Sequence, residues 1–211
     1  MISARGAYLR ALRPIAVAGY EQPGRLSWGG FGPSGSDRRE ILSSFCESGG
    51  SDGIEMRITD ILPVDRIYVD GGSASVRGKA EALKILSDLL AGAIGCDAET
   101  IRQLFAERER LQSTGIGDGV AIPHTSVEAA TRRAAALVLS NKGLPFDAID
   151  GADVHIVLGV IGPKDATGEH LRVLARISRL LRDEPTRRAL AQSASPAQAF
   201  GIIEAREQQL G

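Results

Sequence analysis

Apolar residues recur along this chain with two different periods, and the switches between them mark out most of its elements. Ile58, Ile61 and Leu62 open a short apolar segment, and Ile67, Tyr68 and Val69 read as a brief strand. Gly71-Gly72 breaks the pattern as a turn. A helical period follows. Ser75 is placed to cap a helix running to about Ala93, with Ala82, Leu83, Ile85, Leu86, Leu89 and Leu90 as its buried stripe, and Gly95 ends it. Asp97 caps a second helix to about Arg110, with Ile101, Leu104 and Phe105 inward. Ala134 to Ser140 and His155 to Ile161 are apolar enough for strands; Lys142-Gly143 is a turn after the first, and Gly162-Pro163 closes the second. Gly168 to Leu181 is an amphipathic helix with Leu171, Leu174, Ile177 and Leu181 on one stripe. Asp183 caps a short helix towards Ala191, and Ser195 before Pro196 starts a last one with Phe200, Ile202 and Ile203 on its buried side. Strands separated by helices imply an α/β sandwich.

Residues 1–55 do not follow this scheme. They hold ten of the 25 glycines and little sustained periodicity, and SWGGFGPSGSDRRE is typical of a flexible segment. Tyr8, Tyr20, Trp28, Phe31 and Phe45 also lie there, so a docking tail is an alternative to residues added outside the fold. We expect a flexible extension over 1–55 and a folded domain over 56–211, beginning near Met56.

Composition removes several function classes. The formal net charge of −1 favours neither nucleic acid nor an acidic membrane surface as partner. No apolar run reaches the length of a membrane span, and Ile15 to Ala18 is too short for a signal-peptide core, so we expect a cytoplasmic protein without membrane insertion. Cys46 and Cys96 have neither metal-ligand spacing nor the numbers for a disulfide framework. Asp147, Asp150 and Asp153 do not match a calcium-binding loop, which leaves turn and capping roles.

The most informative stretch is Leu111 to His124, LQSTGIGDGVAIPH. Two hydroxyls, Ser113 and Thr114, precede glycines at 115, 117 and 119, which permit close backbone approach. Val120, Ala121 and Ile122 suit a short buried strand, and Pro123 should end it, delivering His124 on a stiff turn. A dinucleotide fingerprint would need glycine where Val120 stands, and a P-loop would need Gly-Lys-Ser/Thr. Arg108, one turn after Leu104, falls at the edge of the core near the glycine loop, and His170 opens the helix beginning at Gly168, where free N–H groups suit an anion. An imidazole that meets a phosphate is one reading of His124; a capped turn with an incidental histidine is the other.

RERLQSTGIGDGVAIPH, followed in order by PFDAIDGADVHIVLGVIGP and GEHLRVLARISRLLRD, resembles the enzyme IIA domains of the fructose/mannitol class of the bacterial phosphotransferase system, and most of all their nitrogen-regulatory branch. The resemblance covers about residues 56–207. It implies a mixed five-stranded sheet flanked by helices. It implies that His124 accepts a phosphoryl group, as a tele-phosphohistidine, from a phosphorylated histidine phosphocarrier. It assigns His170 as the second active-site histidine, Arg108 as its arginine, and Ser113, Thr114 and Gly115 to the phosphate. Neither cofactor nor metal is implied, because a donor that is already a phosphohistidine leaves mainly positioning and charge stabilisation to the site. Regulatory target proteins would be the other partners. Thr125 stands where the family often has glycine. Three rivals remain: a sugar-transport IIA component, a binding module of the same fold that is never phosphorylated, and a hydrolase with His124 as general base.

Overall fold

The computed structural model describes residues 56–71, 76–128 and 130–210. The expected flexible extension over 1–55 and the capping role of Ser75 lie outside these residues. The elements run in the order α1 (Ile58–Ile61), a 3₁₀ turn (Val64–Arg66), β1 (Ile67–Asp70), α2 (Lys79–Ile94), α3 (Ala98–Leu111), β2 (Gly115–Gly117), β3 (Val120–Ala121), β4 (His124–Val127), β5 (Ala134–Leu144), β6 (Val154–Pro163), α4 (Thr167–Leu181), α5 (Glu184–Ala191) and α6 (Pro196–Leu210).

The sheet is mixed. Its main path has five strands in the order β1-β5-β6-β3-β2, and β4 adds a sixth beside β6, one more than the five that the resemblance implies. β5 and β6 form the antiparallel centre, from Ala134↔Ile161 to Leu144↔Val154. β3 and β4 both run parallel to β6 in one register, Val120↔Ile156 and His124↔Val160. They are one strand interrupted at Ile122-Pro123, because proline has no N–H to give the ladder. The Pro123 carbonyl still accepts the Val160 N–H at 2.9 Å, which keeps the two halves aligned.

Side chains alternate across a strand, so β5 supplies both faces. Ala134, Ala136 and Val138 join Leu83, Leu86 and Leu90 of α2 and Ile101 and Phe105 of α3 in one core. Ala135, Leu137 and Leu139 join Ile58 and Ile61 of α1, Val173 and Ile177 of α4, and Ala199 and Ile203 of α6 in the other. The result is helices on both faces of one sheet, as strands alternating with helices require.

Local expectations meet specific exceptions. Asp97 and Asp183 accept the N–H groups of Thr100 and Thr186, as caps should. α2 starts at Lys79, after Gly78 and without a side-chain cap. Lys142-Gly143 is no turn: it lies inside the long β5, where Gly143 at φ +80° marks a register shift between Leu139 and Leu144. On α4 the buried face is Val173, Ile177, Leu180 and Leu181, whereas Leu171 is 61% exposed. α6 buries a carboxylate as well as Ile203: Glu207 accepts the Ile58 and Thr59 N–H groups and Arg176 Nε. His155 Nδ1 donates to the Ser140 carbonyl at 2.9 Å, a structural contact.

Candidate functional site

The glycine stretch folds as a tight hairpin, β2 against β3, with Gly117, Asp118 and Gly119 all at positive φ. Gly115 lies against the 145–153 loop; a Cβ there would come within 2.7 Å of Ala148 Cα. The Ile149 N–H donates to the Gly115 carbonyl, and Asp150 accepts the N–H groups of Asp118 and Ala152. Asp150 thus has the turn role expected of it, and Asp147 pairs with Lys79 instead. The hairpin is clamped between α3 and this loop, and the chain leaves it at Pro123 towards His124.

His124 is half-buried at the head of β4. Its Nδ1 lies 2.8 Å from the Ile122 carbonyl oxygen. A carbonyl only accepts, so Nδ1 carries the proton and Nε2 keeps the lone pair. The ring stands at one side of a cleft of about 280 Å³ lined by Arg108, Thr125, Ser126, Pro163, Lys164 and His170. The His124 and His170 ring centroids are 5.9 Å apart and tilted by 47°.

His170 is half-buried in the first turn of α4, with Nδ1 enclosed and without a hydrogen-bond partner among the described residues. Burial, then the neighbouring His124 ring, then the Arg133 guanidinium hold its pKa below the ordinary value. At neutral pH it is therefore an uncharged ring. Arg133 fixes this turn directly: its guanidinium donates to the Ala166 carbonyl at 2.8 Å and pairs with Glu169. Arg108 approaches from the last turn of α3, donating to the Gln112 carbonyl at 3.0 Å while lining the cleft.

The structure thus brings together three of the expected site residues, His124, His170 and Arg108. It does not bring Ser113, Thr114 and Gly115 into the cleft. The Thr114 N–H and Oγ1 both donate to Glu109 Oε2, at 2.9 and 2.5 Å, and Thr114 is buried. Ser113 Oγ donates to the Phe146 carbonyl and accepts the Gly115 N–H. These groups are spent on shaping the hairpin. Sequence reasoning missed Ser126, Lys164, Glu109 and Arg133. Ser126 was within reach of it, because strand alternation puts residue 126 on the same side as 124. Lys164 was not, since it reaches the cleft only through the Val127↔Pro163 pairing of β4 with β6. Among the described residues no group of three or more His, Cys, Asp or Glu could hold a metal ion, and no helix is long and apolar enough to cross a membrane.

A family described as "Phosphoenolpyruvate-dependent sugar phosphotransferase system, EIIA 2" matches residues 62–206. The chain is 34% identical over 128 residues to a nitrogen regulatory protein of Klebsiella oxytoca, covering 60% of this chain and 79% of the relative. It is 35% identical over 148 residues to one of Pseudomonas aeruginosa, covering 69% and 92%. Among solved structures, the nitrogen regulatory protein IIA-Ntr of Neisseria meningitidis superposes with a TM-score of 0.64 at 28% identity, covering 69% of this chain and 98% of that one.

Proposed function

Because the chain belongs to the EIIA 2 family of the phosphoenolpyruvate-dependent phosphotransferase system, and so is a phosphotransfer protein, we propose that it is a regulatory relay of the nitrogen type with His124 as its phosphoryl acceptor. The observation that carries the reading is the tether from Nδ1 to the Ile122 carbonyl, which leaves Nε2 as the nucleophile beside a second imidazole and Arg108. The likeness to nitrogen regulatory proteins supports the regulatory branch over sugar transport.

The donor is a phosphohistidine on a small carrier protein. The Nε2 lone pair attacks phosphorus as the donor's N–P bond breaks. That bond's electron pair returns to the donor ring, which takes up a proton from water. Positive charge developing on the His124 ring is eased through the Nδ1–H donated to Ile122. The transferring group passes through a loose state with charge on its equatorial oxygens. Arg108 meets that charge with a planar fork, and neutral His170 offers it one hydrogen bond. Ser113, Thr114 and Gly115 act indirectly, by fixing the hairpin that delivers His124. The doubly charged product on a half-buried side chain changes the local surface enough for target proteins in the cytoplasm to distinguish the two forms.

The test is incubation with a phosphorylated carrier followed by mass mapping. We expect one acid-labile, alkali-stable label, on His124. Label that persists in His124→Ala overturns the assignment.

A further inference from the structure

Hydrogen bonding across the glycine hairpin leaves one anomaly. β2 and β3 pair antiparallel with Gly115 opposite Ala121, so Thr114 faces Ile122 one step outward. The Ile122 N–H donates to the Thr114 carbonyl at 3.0 Å. In a regular pair of this kind the two residues exchange both bonds, and the Thr114 N–H would return to the Ile122 carbonyl. It goes instead to Glu109 Oε2 at 2.9 Å, and Thr114 Oγ1 joins it on the same oxygen at 2.5 Å.

The diversion has a consequence at the site. Ile122 is 5% exposed, and a buried carbonyl needs a donor. Its regular donor is taken, and the donor it has is His124 Nδ1–H at 2.8 Å. Glu109 is itself fixed for this role. It is 8% exposed in the last turn of α3, and Lys79 Nζ sits 3.0 Å from its other oxygen. Lys79 is held in turn by Asp147 at 2.8 Å, on the loop against which the hairpin packs.

We propose that Glu109 is a positioning residue for phosphoryl transfer: by capturing the Thr114 N–H it releases the Ile122 carbonyl to bind His124 Nδ1–H, and so makes Nε2 the nucleophile. The proposal rests on the relay reading of His124. Glu109 touches neither the ring nor the phosphoryl group. It acts through two backbone groups, and what it controls is the choice of ring nitrogen. Without it the Thr114 N–H, buried and unpaired, closes on the Ile122 carbonyl. The imidazole then shares that carbonyl with a second donor, its tether is weakened, and its proton can move to Nε2, where the lone pair is needed.

The experiment compares the full chain with Glu109→Gln, Glu109→Asp and Glu109→Ala. Nitrogen-15 spectra of the ring give the His124 tautomer, and rapid-quench transfer from the phosphorylated carrier gives the rate. The parent should be wholly Nδ1–H. Glu109→Gln keeps an oxygen for the Thr114 N–H and should keep the tautomer, with transfer within about threefold of the parent. Glu109→Ala should show a mixture of tautomers and transfer slowed about 10²-fold, the scale of losing one preorganised group. Glu109→Asp withdraws the oxygen by one methylene and should fall between them; it decides the matter if Glu109→Ala does not fold. A parent ring protonated on Nε2, or a tautomer unchanged in both Glu109→Asp and folded Glu109→Ala, overturns the proposal. If the parent takes no label on His124 the relay reading fails, while the tautomer comparison still reports on Glu109 separately.

Discussion

Replacing Glu207 by alanine should be among the most damaging single changes in this domain. The carboxylate is 3% exposed and accepts four hydrogen bonds: from the Ile58 N–H at 2.6 Å, the Thr59 N–H and Oγ1 at 3.0 and 2.9 Å, and Arg176 Nε at 3.0 Å. It caps the free end of α1 and ties α6 to α4, the helix that carries His170. Breaking a buried ion pair costs about 3–5 kcal/mol, and each buried donor left open about 1–3 kcal/mol. These overlap, because the same desolvated donors are counted in both, so about 4 kcal/mol is the working figure rather than their sum. In a domain of this size each kcal/mol moves the melting temperature by about 2–4 °C, giving a fall of about 8–16 °C. Glu207→Gln keeps an acceptor for α1 but turns an amide N–H₂ towards the other donors, and should lose about half as much. Thermal melts followed by circular dichroism measure both. A Glu207→Ala melt within about 3 °C of the parent would refute the reasoning, showing that water replaces the carboxylate at little cost.

His170 has a lowered pKa in the folded state, so it contributes stability that is present above its unfolded value and is lost as pH falls through the folded one. Arg133→Met removes one of the three causes, and the His170 midpoint in an NMR titration should rise; an unmoved midpoint would leave burial and His124 as the whole explanation. His170→Ala and Arg108→Lys should fold normally and still take label only on His124, with transfer slowed by about 10²–10³-fold; rates within about twofold of the parent for both would make these residues structural. Gly115→Ala sets a methyl 2.7 Å from the Ala148 backbone and should cost about 1–3 kcal/mol, visible as a lower melt; an unchanged melt would mean that the loop gives way freely. A chain beginning at Met56 should melt within about 2 °C of the full chain; a larger loss would show that residues 1–55 pack on the domain.

Much of this architecture is legible without coordinates, for reasons that differ by element. Asp97 and Asp183 were readable because a cap is a local event, confined to one side chain and an N–H three residues on. His124, Arg108 and His170 were readable through a resemblance that supplied their convergence, which no periodicity shows. Leu171 misled because a helical stripe drawn through four leucines and isoleucines ignores which side the sheet lies on; the buried face is rotated towards Val173 and Leu180. Lys142-Gly143 looked like a turn because glycine at positive φ serves bulges as well as turns. Glu109 and Glu207 were invisible for a common reason. A charged residue on a helix is assigned to water by default, and only the partners that the fold brings, Thr114 of the following hairpin and the remote Lys79 for one and the remote Ile58 and Arg176 for the other, make burial tolerable.

Thr125, where the family often has glycine, can now be placed. If glycine were needed there for a left-handed backbone, threonine would be strained; but the described non-glycine residues at positive φ are Asp118 and Asp147, and Thr125 is not among them. Nor does the side chain break the ladder, since β4 continues through Thr125↔Ile161 and Ser126↔Gly162. The β-branched side chain suits the extended strand it occupies. What it alters is the wall of the cleft, where Thr125 stands among the lining residues beside His124 and Lys164. The hydrogen bond from His124 Nδ1 to the Ile122 carbonyl lies on the other side of His124 in the chain and is untouched. On the proposed relay, the departure from the family pattern therefore acts on the surface offered to the phosphocarrier, and leaves the proposed nucleophile as it was.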